Sequence, residues 1–136
     1  MLITHNLNIL ANQLIAMPKI VEMNATNMVR KMALTLASGV IKATPVDTGL
    51  ARGNWQVSLR SPINTEISSK SGQESINKAK TVSLQFTLKD KSIWICNNLP
   101  YINALNNGWS KQANAGFIER QAEGVHFDIS NDKLYH

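Results

Sequence analysis

Asp47, Thr48 and Gly49 lie in the stretch "TPVDTGLARGNW", residues 44–55, with Arg52 and Trp55 close behind. A carboxylate next to a hydroxyl and a glycine, ahead of a guanidinium, has the make-up of a carboxylate site. The same residues also build a turn that needs no substrate. Asp hydrogen-bonds backbone N–H groups two residues on, Gly supplies positive φ, and Pro45 fixes the entry. The turn explains every residue type present, so Pro45, Asp47, Thr48 and Gly49 are read as a structural corner.

The remaining chemistry-bearing residues do not assemble into a site. His5, His126 and His136 sit near the two ends, in neither metal-ligand spacing nor a Ser/His/Asp setting. Cys96, the single cysteine, lies in an apolar run, where a buried and inert thiol is the default; it excludes an internal disulfide and a multi-cysteine zinc site. Gly49 and Gly53 match neither nucleotide-binding fingerprint. Neither an enzyme nor a resident metal or cofactor is indicated. Two aromatic-bearing stretches remain: Arg52 and Trp55 after the corner, and Pro100, Tyr101, Gly108 and Trp109 around a second turn. Trp, Tyr and Arg are enriched at the energetic centres of protein interfaces, and these residues are the candidate partner contacts. The competing role for both tryptophans is closing the core over a sheet.

Elements must position these residues. Val21, Ala25, Met28, Met32, Leu36 and Val40 recur every three or four positions, while Lys31, Thr35, Ser38 and Lys42 recur on another face. That pattern predicts an amphipathic helix over 18–43, with Pro18 in its first turn and Pro45 forcing its end. Its methionines suit core filling. Trp55, Val57 and Leu59 alternate with Gln56, Ser58 and Arg60, which predicts a half-buried strand. Residues 61–72, "SPINTEISSKSG", have no sustained period and read as a mobile loop. The next stretch stays open. Ile76, Ala79, Val82 and Phe86 fit a helix, whereas Val82, Leu84, Phe86 and Leu88 fit a strand. "SIWICNN", 92–98, predicts a strand with Ile93 and Ile95 on one face and Trp94 on the other. A turn at Leu99–Pro100, a short helical run and an Asn107–Gly108 stop follow. A last helix is expected over about 115–127, with Phe117, Ile118, Ala122 and Val125 inward. The expected division is 1–17 as an arm or short helix, 18–127 as one domain, and 128–136 as a tail.

Composition bounds the rest. The 136 residues are 43% hydrophobic with a net charge of +5, enough for one modest core. No run reaches membrane-span length and the N-terminus lacks a basic region before an apolar one, so the chain is expected to be cytosolic at synthesis. An N-x-T triplet at Asn24–Thr26 falls in the expected helix, where glycosylation is not expected. The charge is uneven: +4 over 1–60, +2 over 61–91 and −1 over 92–136. An acidic partner or nucleic acid suits that excess, though no dense basic run marks a dedicated DNA reader. A solvated basic face accounts for it equally simply.

Taken together, "ATPVDTGLARGNW", "SIWICNNLPYINALNNGWSKQANAGF" and the long helix ahead of them resemble the tail-completion or neck (head-tail joining) protein family of tailed bacteriophages and prophages. The corner matches at Thr44, Pro45, Val46, Asp47, Thr48, Gly49 and Arg52. The later block matches at Asn97, Leu99, Pro100, Tyr101, Leu105, Gly108, Ser110, Gln112, Ala113 and Gly116. Asn114 departs from a common proline, which would loosen the entry to the last helix. The resemblance covers about residues 18–127 and implies a helix from about 73 to 87. It implies an α+β fold in which a long N-terminal amphipathic helix packs on a small, mostly antiparallel sheet with one or two further helices. It also implies a virion structural protein of the neck, made in the host cytoplasm, forming a homo-oligomeric ring of six or twelve copies. The ring would sit between a portal-side connector or adaptor protein and a tail or tail-terminator protein. Double-stranded DNA would pass through it without sequence-specific contact, and no membrane is involved. A tail-terminator ring is the nearer alternative; a basic nucleic-acid-binding accessory protein is the alternative from another class.

Overall fold

The computed structural model describes residues 19–124, 126–128 and 133–135. The expected N-terminal arm, 1–17, with Leu7, Leu10, Leu14 and Met17, lies outside the described residues. The fold is α+β, as expected: a long helix, an antiparallel strand pair and further helices.

Helix α1, Lys19–Ala43, spans 25 residues, about 37 Å at the usual rise. Ala25, Met28, Val29, Met32, Ala33, Leu36, Ala37, Val40 and Ile41 form its buried stripe, while Asn24, Asn27, Lys31 and Lys42 face outward. Pro45 cannot continue the helix, and the chain turns out through Thr44, whose N–H still bonds Val40 O at 3.0 Å. After the one-turn helix α2, Leu50–Gly53, comes β1, Trp55–Leu59, whose inward residues are those the alternation predicts.

Strand β2, Ile93–Asn97, runs antiparallel to β1, with Trp55 opposite Asn97 and Leu59 opposite Ile93. Trp55, Val57, Ile93 and Ile95 face the core under α1. Gln56, Ser58, Trp94 and Cys96 share the other face.

The ambiguous stretch is a helix, α3, Gly72–Gln85. Its start is set by Ser71, whose hydroxyl accepts from Glu74 N at 3.1 Å. Ser75, Ala79 and Ser83 make a buried small-residue stripe that lets α3 lie close to α1 and β1. The alternation that suggested a strand straddles the helix end. Leu84 points outward from the last turn, whereas Phe86 and Leu88 are buried beyond it, Leu88 in a 3-10 turn, Leu88–Asp90.

Residues 61–71 carry no regular structure but are not the free loop expected. The Asn54 side chain donates to Ile67 O and accepts from Ile67 N, both at 2.9 Å, as a strand neighbour would. Gln56 Nε2 donates to Thr65 O at 2.7 Å and Asn98 Nδ2 to Ile63 O at 2.8 Å. The segment is tied across the outer face of the sheet, where it helps bury Cys96. Amide side chains replace a backbone ladder, and periodicity has no sign for that.

After α4, Ile102–Asn106, the chain forms α5, Phe117–Gly124, which packs on α1. The last helix is shorter than expected at both ends. Past Gly124, His126–Asp128 (β3) pairs antiparallel with Lys133–Tyr135 (β4), so the stretch read as helix end and tail contributes a strand pair.

Candidate functional site

The corner is built as a turn. Gly49 has φ 86°, the positive value expected of it. The acceptor that caps α2 is Thr48 Oγ1, 3.3 Å from Leu50 N, rather than the Asp47 carboxylate, which stands exposed. Backbone also approaches closely here. A Cβ on Gly49 would lie 2.3 Å from Lys70 O, and one on Gly53 2.0 Å from Ser69 O. The two glycines are the floor on which residues 69–70 rest.

Two of the expected partner contacts serve the fold instead. Trp55 is 2% exposed, and its indole N–H donates to Thr44 Oγ1 at 2.8 Å. As the first residue of β1 it points inward under α1, so it is a core residue. Arg52 donates through Nε to Thr44 O at 2.7 Å and through Nη2 to Lys42 O at 2.9 Å. These are carbonyls at the end of α1, which have no partner within the helix and favour a cation. The guanidinium closes its own chain's helix.

The second block keeps its side chains outside. Trp109 is 82% exposed and Tyr101 41%, and Pro100 and Gly108 are exposed with them. Their loop is nevertheless held from beneath. Gly108 takes φ 89°, and Trp109 N bonds Ala104 O at 3.3 Å. Asn106 donates to both Glu119 carboxylate oxygens at 2.8 Å and accepts from Ile118 N at 3.0 Å, which fastens α4 to the start of α5. At Asn114 the entry to α5 is not left loose, because Arg120 donates to the carbonyls of Asn114 and Ala115. A guanidinium supplies the restraint that a proline would.

The two blocks, more than fifty residues apart in sequence, face each other. Val46 N donates to Gln112 Oε1 at 2.9 Å. Asn97 joins them from below, donating to Ala51 O at 2.9 Å and accepting from Leu99 N at 3.1 Å. Between the blocks lies a cleft of about 600 Å³ whose lining includes Pro45, Asp47, Tyr101, Leu105, Trp109 and Lys111. It is an aromatic-edged groove with one exposed acid and one exposed base. Among the described residues no group of three or more His, Cys, Asp or Glu is placed to hold a metal ion. Cys96 is buried, and burial raises its thiol pKa above the ordinary value.

Sequence reasoning missed the amides. Asn54, Asn97, Asn98, Asn106 and Gln112 hold the corner, the covering segment and the aromatic loop together. In the sequence, Asn97, Asn98 and Asn106 look like ordinary turn formers; only their density beside the two turns was a signal.

Compared with protein-family models, with curated proteins and with solved structures, the chain matches none.

Proposed function

We propose that this chain is a structural subunit of a bacteriophage neck, assembling as a ring between a portal-side connector and a tail, with the cleft and its aromatic rim as a contact surface. One observation carries the reading. The two sequence blocks that resemble the neck family, distant in the chain, form the two walls of one groove, joined by the Val46–Gln112 hydrogen bond. Residues spaced for separate tasks would have no reason to converge. The rim is also preorganised. Trp109 and Tyr101 are presented on a loop fixed by Asn106, so a partner docks without a large ordering cost. Large exposed aromatics at a groove are what interface centres use. Arg52 contributes only indirectly, by holding the corner that forms one wall.

The test is complementation of a phage lacking this protein with the Trp109→Ala variant. The expected result is DNA-filled heads and separate tails, with the purified variant folded as the parent is. Normal yields of joined particles would remove the rim from the interface. Failure of the unaltered chain to associate with heads or tails would remove the neck assignment itself.

A further inference from the structure

The end of the sheet opposite the cleft carries a different surface. The cleft lies where Trp55 faces Asn97; the far end, where Leu59 faces Ile93, is closed by Arg60 and Lys91. Arg60 N bonds Ser92 O at 3.0 Å, and Ser92 Oγ bonds Arg60 O at 3.2 Å, so the two connections run side by side. Among the described residues, Arg60 (φ 70°) and Lys91 (φ 63°) are the only non-glycine residues with positive φ. Both are cations, and both sit at this one place.

That coincidence needs a cause. The left-handed conformation costs a non-glycine residue free energy that it does not cost glycine, and Asn or Asp tolerates it better than Arg or Lys. The Arg60–Asp90 ion pair, 3.1 Å, does not supply the cause, because the Arg60 side chain is 74% exposed and such pairs contribute little. Lys91 and its exposed neighbour Lys89 have no acidic partner among the described residues. Arg30, which donates to Phe86 O at 2.8 Å, adds a fourth cation nearby, against Asp90 as the local acid.

We infer that the Arg60–Lys91 end of the sheet is a phosphate-contacting surface that binds the backbone of double-stranded DNA without reading sequence. Strain retained at two cationic positions points to a use for the charges outside the chain. DNA fits better than an acidic protein. Lysine is depleted at protein-interface centres, whereas phosphate contacts use lysine and arginine alike. No large exposed apolar side chain lies among Arg60, Ser61, Lys89, Asp90 and Lys91 to anchor a protein partner. The binding is a property of the isolated chain; only the source of the DNA, a genome passing through a ring, rests on the neck reading.

The test compares R60G/K91G with K42Q/K70Q, which removes two exposed lysines at the corner end. Binding of a mixed-sequence duplex is measured by fluorescence anisotropy across a salt series. In R60G/K91G two phosphates are no longer neutralised. The slope of log affinity against log salt then shrinks by about 1.8, and affinity at about 50 mM salt falls roughly 10- to 200-fold. R60G/K91G melts no lower than the parent, because glycine relieves the strained backbone, so weaker binding cannot be blamed on unfolding. K42Q/K70Q keeps most of the affinity. Equal loss in the two variants, or an unchanged slope in R60G/K91G, overturns the assignment. Binding of polyglutamate in place of duplex would overturn it in favour of an acidic protein surface.

Discussion

The Trp55 indole N–H donates to the Thr44 hydroxyl at 2.8 Å, and that hydroxyl donates onward to Val40 O at 2.6 Å. One buried threonine therefore couples the last turn of α1 to the first residue of β1. Thr44→Val keeps the shape and removes both bonds, leaving a buried indole N–H without a partner. The expected cost is about 1–3 kcal/mol. Thr44→Ser, which restores the hydroxyl, should recover most of it. Urea denaturation of the three proteins measures this, and a Val variant as stable as the parent would show that the hydroxyl chain contributes nothing.

At Gly49 two penalties combine. Its φ of 86° disfavours any side chain, and Lys70 O already occupies the place of a Cβ. Gly49→Val should lose about 1–3 kcal/mol from backbone conformation alone, and more from displacing Lys70. Gly53 separates the two effects, since it ends helix α2 without a positive φ and only the approach of Ser69 O opposes a side chain there. Gly53→Ala should destabilise through that approach alone. A melting temperature unchanged in both variants would contradict the close packing of residues 69–70.

Cys96 reports on the covering segment. It lies on the outer face of β2, opposite Gln56, and is buried although that face is turned away from α1. Its thiol pKa is raised by burial, so little thiolate is present near neutral pH and a disulfide reagent should react slowly with the folded protein. Asn54→Ala removes the paired bonds to Ile67. Labelling of Cys96 and tryptic cleavage at Lys70 should both accelerate in that variant. Fast labelling and cleavage of the parent would mean that the segment is free after all.

How much of this was legible in the sequence depends on the kind of interaction. Helix α1, strand β1 and the Gly49 turn rest on local rules, namely period, proline exclusion and positive φ, and each was readable from its own residues. Ser71 marked the start of α3, yet the run from Val82 to Leu88 obscured its end, because Phe86 and Leu88 turn inward only after the helix has stopped. The site was half visible. Its residue types were plain, but a tryptophan closing a core and a tryptophan facing solvent have the same letter. What separates Trp55 from Trp109 is a long-range contact with Thr44 that neither residue's neighbours encode. The amide ties of Asn54 and Asn106 span 12 or 13 positions and follow no period.

The two tryptophans consequently make opposite predictions. Trp55, 2% exposed, fills the space between β1 and α1 and satisfies its N–H there. Trp55→Ala should cost about 3–5 kcal/mol, as large-to-small changes in a packed core do. Trp109, 82% exposed, touches little of its own chain, and Trp109→Ala should move stability by no more than about 0.5 kcal/mol. Trp55→Phe tests the hydrogen bond separately from the volume. It keeps most of the ring and loses the N–H, so its cost should fall between those of the parent and Trp55→Ala. Denaturant midpoints for the isolated subunit decide the matter. A large loss at Trp109 would place that ring in the core and take the rim away from the cleft, whereas a small loss at Trp55 would free it to serve as the partner contact its sequence position first suggested.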